Sequence, residues 1–111
     1  MKSIARGMDM TLCKEYCNEP EFKETLRLIG DFWTLRIIAT LESEDLRFCS
    51  IERALGDSNP ATLTARLKKL EQHELVARRV DAGDTLYTLT PRGAKLLPIV
   101  EQMQAFARTQ S

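Results

Sequence analysis

The sequence predicts a mainly α-helical chain of the α+β class, in which several helices accompany a single β-hairpin. Apolar residues recur at helical spacing over most of the chain, a pattern that favours amphipathic helices. Two runs of strand-like composition flank Ala82, Gly83 and Asp84, and a glycine-containing turn between such runs is typical of a hairpin. With 111 residues, the chain is long enough for one hydrophobic core and too short for two.

The first two predicted helices precede a short acidic stretch. Asn18 is expected to cap the first helix, over residues 19–29, and Gly30 is expected to end it. Asp31 is expected to cap the second helix, which extends to Leu41 and is apolar around most of its circumference. Such a helix packs against neighbours on several sides, so we expect it at the centre of the core.

A helix-turn-helix follows. A short extended segment at 46–48 leads into a two-turn helix that Gly56 ends. Asn59 and Pro60 then mark a helix start, because Asn is a favoured cap and the missing N–H of Pro costs nothing in the first turn. The helix at 60–73 has a leucine stripe as its buried side, formed by Leu63, Leu67 and Leu70. Its opposite side is small, polar and basic.

A hairpin and a last helix complete the order. Residues 75–81 and 85–90 are the expected strands. Thr90 and Pro91 repeat the signal of a cap followed by proline and start the last helix, which Pro98 is expected to bend. A short helix, a tight turn, a longer helix and a hairpin follow one another as in a winged helix-turn-helix.

The predicted organisation is a single domain over residues 1–111. Within it we expect an N-terminal arm (1–18), a winged-helix core (19–90) and a C-terminal dimerisation helix (91–111). The last helix has more apolar side chains than a small core obviously consumes, among them Leu96, Val100, Met103 and Phe106. Because one winged helix reads only a half-site, these side chains predict a homodimer.

Charge is distributed unevenly along a chain whose formal net charge is zero. Sixteen basic residues balance sixteen acidic ones, so the field of the whole molecule cannot attract a polyanion or a membrane surface. Residues 19–57 carry a net charge of −4, whereas residues 58–95 carry +3. Any attraction to nucleic acid is therefore expected to be local and to lie in the second segment.

Four segments resemble the HxlR-type winged helix-turn-helix transcription regulators, a branch close to the MarR family. They are TLRLIGDFWTLRIIATL, LRFCSIERAL, NPATLTARLKKLEQHELVARRV and YTLTPRGAKLLPIV, and they fall within residues 20–102. The resemblance implies a homodimer joined by its terminal helices. It also implies that the helix at 60–73 enters the major groove of DNA and that the hairpin acts as a wing.

The chain departs from the pattern of these regulators in three places. Asp31 and Phe32 stand where members usually have a glycine and a lysine before the tryptophan. The wing is shorter than usual, and Asp81 and Asp84 replace its common basic tip, so contact between this wing and DNA stays open. Cys17 lies near the place of an N-terminal cysteine that many members carry, about three residues further from the tryptophan.

The second helix of the motif supplies most candidate DNA-binding residues. Taken alone, it is typical of a solvated surface helix, but small outward residues beside basic ones let a backbone approach base edges. The predicted contacts are Ser58, Asn59, Ala61, Thr62, Thr64, Ala65, Arg66, Lys69, Arg78 and Arg79. The sequence as a whole predicts a cytoplasmic, homodimeric, sequence-specific regulator that binds a pseudo-palindromic operator in double-stranded DNA. A winged-helix module for protein–protein contact is the alternative.

The three cysteines, Cys13, Cys17 and Cys49, leave several interpretations open. Their number is odd and no signal peptide is evident, so reduced thiols are expected. They could sense redox state, bind a metal or be incidental, but without a Cys-x2-Cys pair no metal site is predicted. A sensor role falls first on Cys17, with Cys13 or Cys49 as its partner.

Other classes of function find little support. Trp33 is expected in the core or on the floor of an effector pocket. The single His73 has no nucleophile at motif spacing and the glycines are dispersed, so neither an enzyme nor a cofactor is predicted. The longest apolar stretch falls short of the ~20 residues that a membrane span needs. The operator, the effector and the choice between repression and activation stay open.

Overall fold

A computed structural model describes residues 17–109, and the chain divides into two compact units between Asp31 and Phe32. The helices are α1 (Pro20–Ile29), α2 (Thr34–Thr40), α3 (Phe48–Leu55), α4 (Pro60–Gln72), α5 (Pro91–Ala94) and α6 (Leu97–Arg108), and the strands are β1 (Val76–Asp81) and β2 (Asp84–Leu89). The predicted class, mainly helical with one antiparallel hairpin, is confirmed. The organisation into a single domain stays a prediction, and Cys13 lies outside the described residues.

In the first unit, α1 has Glu19 as its N-cap, without a side-chain cap hydrogen bond. The prediction that Asn18 caps this helix is wrong, because Pro20 occupies the first turn, where its fixed φ and missing N–H favour a helix start. Gly30 follows the last helical residue as predicted, and its N–H donates to the carbonyl of Leu26 at 2.9 Å. The helix is therefore one residue shorter at its start than expected.

A turn precedes α2. The prediction that Asp31 caps α2 is wrong, since the N-cap is Trp33 and the helix begins at the next residue. Phe32 and Trp33 pair edge to face in this turn, with ring centroids 5.2 Å apart, and this pairing accompanies the later start. Ile37 and Ile38 are fully buried, so α2 lies in the core as predicted.

The helix-turn-helix of α3 and α4 follows the predicted punctuation. Gly56 follows the end of α3 with a φ of 81°, which glycine adopts at little cost. At the start of α4, the Asn59 side chain accepts a hydrogen bond from the Thr62 N–H at 2.8 Å, as expected of a cap. The buried side of α4 consists of Leu63, Leu67 and Leu70, as predicted.

The hairpin of β1 and β2 has a two-residue loop. The register ends with the pair Asp81 and Asp84 at the tip. Ala82 and Gly83 form the loop with φ values of 54° and 87°, the sign that both central residues of a type I′ turn require. The hairpin is thus confirmed, with a loop one residue shorter than expected.

The free edge of β2 pairs with the segment before α3. The Leu46 N–H donates to the Tyr87 carbonyl at 3.1 Å, and the Tyr87 N–H donates to the Leu46 carbonyl at 2.7 Å. Phe48 already begins α3, so the extended segment expected at 46–48 is shorter. This bridge ties the hairpin to the start of the helix-turn-helix.

Two helices, α5 and α6, replace the single bent helix that was predicted. Thr90 caps α5, and its Oγ1 accepts a hydrogen bond from the Gly93 N–H at 2.9 Å. A Cβ at Gly93 would collide with the Leu75 carbonyl, so α5 lies close against the segment before β1. The prediction of a bend at Pro98 is wrong, because this proline lies in the first turn of α6, where it is tolerated. None of the described helices has the length and apolar character needed to cross a membrane.

Candidate nucleic-acid interface

The solvent-facing side of α4 is small and basic. We define the outer face of α4 by its exposed residues after Pro60, which are Ala61, Thr64, Ala65, Lys68 and Gln72. Thr62, Arg66 and Lys69 are partly exposed at its margins. The contacts predicted from the sequence include Lys69 and not Lys68, whereas the structure exposes Lys68 more than Lys69. β1 packs against α4, and such packing decides which margin of the helix is covered.

The turn before α4 contains two predicted contact residues that face inward or cap the helix. Ser58 Oγ is buried and has no hydrogen-bond partner among the described residues. The side chain of Asn59 is engaged with the Thr62 N–H as the cap. The Ser58 hydroxyl is thus buried and the Asn59 side chain is occupied as the cap of α4.

A recess of about 280 Å³ lies between α4 and the hairpin. Its lining residues are Thr64, Lys68, Glu71, Arg78 and Tyr87. Arg78 Nε lies 2.8 Å from Glu71 Oε2, an ionic contact rather than a hydrogen bond of regular geometry. The recess thus brings two basic side chains, Lys68 and Arg78, from different elements to one place beside a carboxylate.

Tyr87 adds a hydroxyl to this recess. Burial, and after it the charge of Glu71, raises the pKa of the Tyr87 phenol above its ordinary value, while the charge of Arg78 opposes the shift. The phenol is therefore protonated at neutral pH. A protonated hydroxyl can donate a hydrogen bond to an anionic oxygen in the recess.

Arg79 faces away from this recess. Successive residues of a strand point to opposite sides, so Arg78 faces α4 and Arg79 does not. Arg79 Nε donates to Asp45 Oδ2 at 2.7 Å, and its Nη1 lies 3.7 Å from Asp81 Oδ2. Hydrogen bonds from Thr88 and then from Arg79 hold the pKa of the Asp45 carboxyl below its ordinary value. The predicted cluster of Arg78, Arg79 and the α4 cations is thus divided between two faces.

The wing tip carries acidic and apolar side chains. Val80 is 74% exposed, and Asp81 and Asp84 are exposed beside it. Arg47 Nη1 lies 3.7 Å from Asp84 Oδ2, so a basic side chain from the start of α3 partly offsets the negative charge of the tip. Unlike the outer face of α4, this tip offers a nucleic acid little positive charge.

The described cysteines do not form a cluster suited to a metal. Cys17 and Cys49 are exposed thiols outside any disulfide, and Cys49 lies in the first turn of α3. Within residues 17–109, no group of three or more His, Cys, Asp and Glu side chains is placed to hold a metal ion.

An apolar groove of about 330 Å³ runs between α2 and α6. It is lined by Leu35, Arg36, Ala39, Val100, Met103, Gln104 and Ala107. Trp33, the predicted floor of an effector pocket, is half-buried beside Phe32 and does not line this groove. Sequence reasoning did not anticipate the groove, because its two walls are distant in the chain.

Helix α6 buries none of its residues within the chain. Met103 is 56% exposed and Phe106 is 70% exposed, and Ile99 adds to the same apolar side of the helix. Side chains of this size cost free energy when they are left in water. Of the predicted dimerisation residues, Met103 and Phe106 are therefore available at the surface, whereas Leu96 and Val100 are partly buried.

The HxlR-like helix-turn-helix family matches residues 28–111, which comprise the second compact unit and the last residues of the first. The chain belongs to the HxlR-like helix-turn-helix family. It is 33% identical over 103 residues to the HTH-type transcriptional regulator YodB of Bacillus subtilis, an alignment that covers 90% of this chain and 87% of YodB. HxlR-like proteins such as YodB are transcriptional regulators, so the expectation that the chain is not an enzyme is confirmed.

Solved structures share the fold of this HxlR-like chain. The reduced form of YodB superposes with a TM-score of 0.75 at 33% identity and covers 83% of this chain and 93% of that one. The quinone-bound form of YodB gives a TM-score of 0.73 at 34% identity, with coverages of 81% and 98%. The redox regulator HypR in its oxidized form gives 0.74 at 28% identity, with coverages of 80% and 95%.

Proposed function

We propose that this HxlR-like chain is a homodimeric, sequence-specific regulator whose α4 enters the major groove of double-stranded DNA. The observation that carries the proposal is the outer face of α4. Its small residues let the helix backbone approach base edges, while Lys68 and the partly exposed Arg66 and Lys69 supply positive charge. Membership in a family of transcription regulators supports the same conclusion.

The residues of α4 divide into two proposed roles. Arg66 is the candidate for direct reading, because arginine contacts the O6 and N7 acceptors of guanine in a bidentate manner. Lys68 and Lys69 are candidates for phosphate contacts, which fix the register and carry no sequence information. Ser58 and Asn59 are proposed to contribute through their backbone at the start of the helix.

The wing is proposed to contribute less than α4 to the affinity for DNA. Arg78 opens onto the recess beside Lys68, and it reaches a phosphate only if it shares or leaves the carboxylate of Glu71. Arg79 is paired with Asp45 on the other face and is the weakest of the predicted contacts. The acidic tip argues against deep insertion of this wing into a groove.

The dimer is proposed to form through α6. Its exposed Met103 and Phe106 and the adjoining apolar groove leave unburied surface that a second copy would cover. Two-fold symmetry then places two copies of α4 on half-sites separated by ~34–36 Å or a multiple of it. A pseudo-palindromic operator follows from this symmetry, and a cytoplasmic location follows from binding chromosomal DNA.

A response to oxidants is the proposed regulation. The similar proteins YodB and HypR have structures in quinone-bound, reduced or oxidized forms. Here Cys17 and Cys49 are exposed thiols, and exposure favours reaction with an oxidant. Operator affinity is to be measured before and after a diamide pulse in the wild type and in Cys17→Ser. Equal affinity throughout, without a linked dimer on non-reducing gels, would leave a small molecule near Trp33 as the proposed effector.

The experiment for DNA binding uses a pool of random-sequence duplexes at low salt. The proposed regulator retains the pool, loses most of it as salt rises, and enriches a pseudo-palindromic sequence over rounds of selection. A winged-helix module for protein–protein contact would retain neither the pool nor heparin. A protein that retains neither the duplex pool nor heparin at low salt contradicts the proposal and favours that module.

A further inference from the structure

Arg36 of α2 joins the aromatic turn before α2 to the turn before α4. Its guanidinium carbon lies 4.4 Å from the Phe32 ring centroid and 4.9 Å from the Trp33 ring centroid. Its Nη2 donates to Asp57 Oδ1 at 3.0 Å, and its Nη1 lies 3.5 Å from Asp57 Oδ2. The same Nη2 also donates to the carbonyl of Leu55, the last residue of α3, at 3.2 Å.

These contacts converge on the turn that sets the direction of α4. Leu55 ends α3, and Asp57 lies two residues before Asn59, the cap of α4. Gly56, between Leu55 and Asp57, has a φ of 81° and contributes no side chain to fix the turn. Arg36 therefore holds both sides of the one glycine in the connection between the two helices of the motif.

The chemistry of this arrangement requires arginine. A planar guanidinium can lie over an aromatic ring and still present a fork of parallel N–H donors to a carboxylate, whereas an ammonium group has no planar fork to orient. The two rings orient the fork, and the fork fixes Asp57. Arg36→Lys would keep the charge and lose the orientation.

We propose that Arg36 is a positioning residue for DNA reading, which fixes the turn 55–59 and with it the direction of the N-terminal end of α4. This inference rests on the proposed function, because the direction of α4 matters only if that helix reads DNA. The first turns of such a helix contact base edges at the floor of the groove. A small error in the direction of the helix therefore weakens contacts with bases more than other contacts.

The exposure of the pair separates this role from a contribution to stability. The side chains of Arg36 and Asp57 are 30% and 56% exposed, and exposed ion pairs add little to the free energy of unfolding. Loss of the pair is therefore expected to leave the fold intact. Its effect is expected in affinity for the correct sequence, while phosphate contacts, which do not depend on sequence, are kept.

The test uses the full chain and two duplexes, the most enriched one from the random pool and a scrambled one of equal composition. Arg36→Lys and Asp57→Asn are each expected to weaken binding of the enriched duplex about tenfold, equal to about 1.4 kcal/mol. The double variant is expected to bind the enriched duplex no more weakly than the single variant with the larger loss, because both changes break the same interaction. Arg36→Lys keeps the charge and most of the side chain that Arg36 presents to the groove, so it is expected to leave the oligomeric state, the affinity for the scrambled duplex and Tm unchanged.

Arg53→Lys is the matched control, an exposed arginine of α3 whose change keeps the same charge. Unchanged binding of the enriched duplex by Arg36→Lys overturns the proposal. Equal losses on both duplexes also overturn it, since they indicate a direct phosphate contact. Additive losses in the double variant overturn it as well, and so does a changed oligomeric state, since Arg36 also lines the groove between α2 and α6.

Amide hydrogen exchange of the DNA-free protein distinguishes failure of this inference from failure of the proposed function. Arg36→Lys is expected to speed exchange of the Leu63 N–H, which closes the first turn of α4, and to leave α6 unchanged. If the wild type enriches no duplex but exchange accelerates, DNA reading fails and the role of Arg36 in DNA reading falls with it. If the wild type enriches a duplex and exchange is unchanged, only the role of Arg36 is overturned.

Discussion

At the scale of single residues, consecutive positions of α4 have different surroundings. Lys68 is exposed, Lys69 is partly exposed and Leu70 is fully buried, because each residue turns the helix by about 100°. The exposed member of the pair is best placed to reach a phosphate. Chemically equal lysines one position apart are thus expected to differ in their effect on DNA binding.

Lys68→Ala is expected to weaken binding of every duplex alike and to lower the salt slope of log affinity by about one unit, because one phosphate contact is lost. The measurement is fluorescence anisotropy over a range of salt concentrations. Lys95→Ala removes the same charge from the end of α5 and is the matched control. Equal slopes for Lys68→Ala and the wild type would contradict the assignment.

Asn59→Ala is expected to lower the free energy of unfolding by about 1 kcal/mol, because the Thr62 N–H loses its partner. Urea unfolding followed by circular dichroism measures the change. Gln72→Ala, at the exposed opposite end of the same helix, is expected to have no comparable effect. Equal stability of Asn59→Ala and the wild type would show that the cap adds nothing.

At the scale of elements, the hairpin is fixed from both sides. Leu46 pairs with Tyr87 through two backbone hydrogen bonds, and Arg79 joins the hairpin to Asp45 in the same segment. On the other face, Arg78 reaches Glu71 of α4. The position of the wing therefore depends on charge as well as on strand pairing.

The Asp45 carboxyl gives this arrangement a pH dependence. Its pKa is lower in the folded chain than its ordinary value of 3.8, so its contribution is fully present above that value and is lost as pH falls below it. Because the Asp45–Arg79 pair is exposed, Asp45→Asn is expected to lower Tm only slightly near neutral pH, and its difference from the wild type should shrink below pH ~4. Glu44→Gln, at the exposed neighbouring carboxylate, is the control. A difference that stays constant with pH would refute the assignment.

Local signals made much of the fold predictable from the sequence. Caps and prolines act within one helical turn, so Asn59 with Pro60 and Thr90 with Pro91 revealed two helix starts. The prediction at Pro98 was wrong, because this proline lies in the first turn of α6 and does not bend a longer helix. The leucine stripe predicted the outer face of α4 with an error of one position, because Lys68 and not Lys69 is the more exposed lysine.

Interactions between distant residues escaped sequence reasoning. Arg36 and Asp57 are 21 positions apart, and Arg79 and Asp45 are 34 apart. Neither hydrophobic periodicity nor a spaced motif reports such a pair, because the fold alone brings the partners together. The groove between α2 and α6 was hidden for the same reason.

At the scale of the whole molecule, α6 exposes large apolar side chains along one side. Phe106→Glu places a charge on the apolar side of this helix and is expected to convert the proposed dimer into single subunits. Light scattering gives the oligomeric state, and operator affinity is expected to fall with it because a single subunit reads only a half-site. Ala105→Glu adds the same charge at an exposed position outside the groove. A Phe106→Glu protein that stayed dimeric would refute the role of α6.

The central claim is that α4 reads DNA sequence with its outer face and with Arg66 at the margin of that face. The most direct test is parallel selection from a random duplex pool with the wild type and with Arg66→Ala. The wild type is expected to enrich a pseudo-palindromic sequence. Arg66→Ala is expected to enrich the same sequence with one relaxed base pair in each half-site, a loss of about 1–3 kcal/mol of discrimination there. Enrichment of no sequence by the wild type, or of identical sequences by both proteins, would contradict the account.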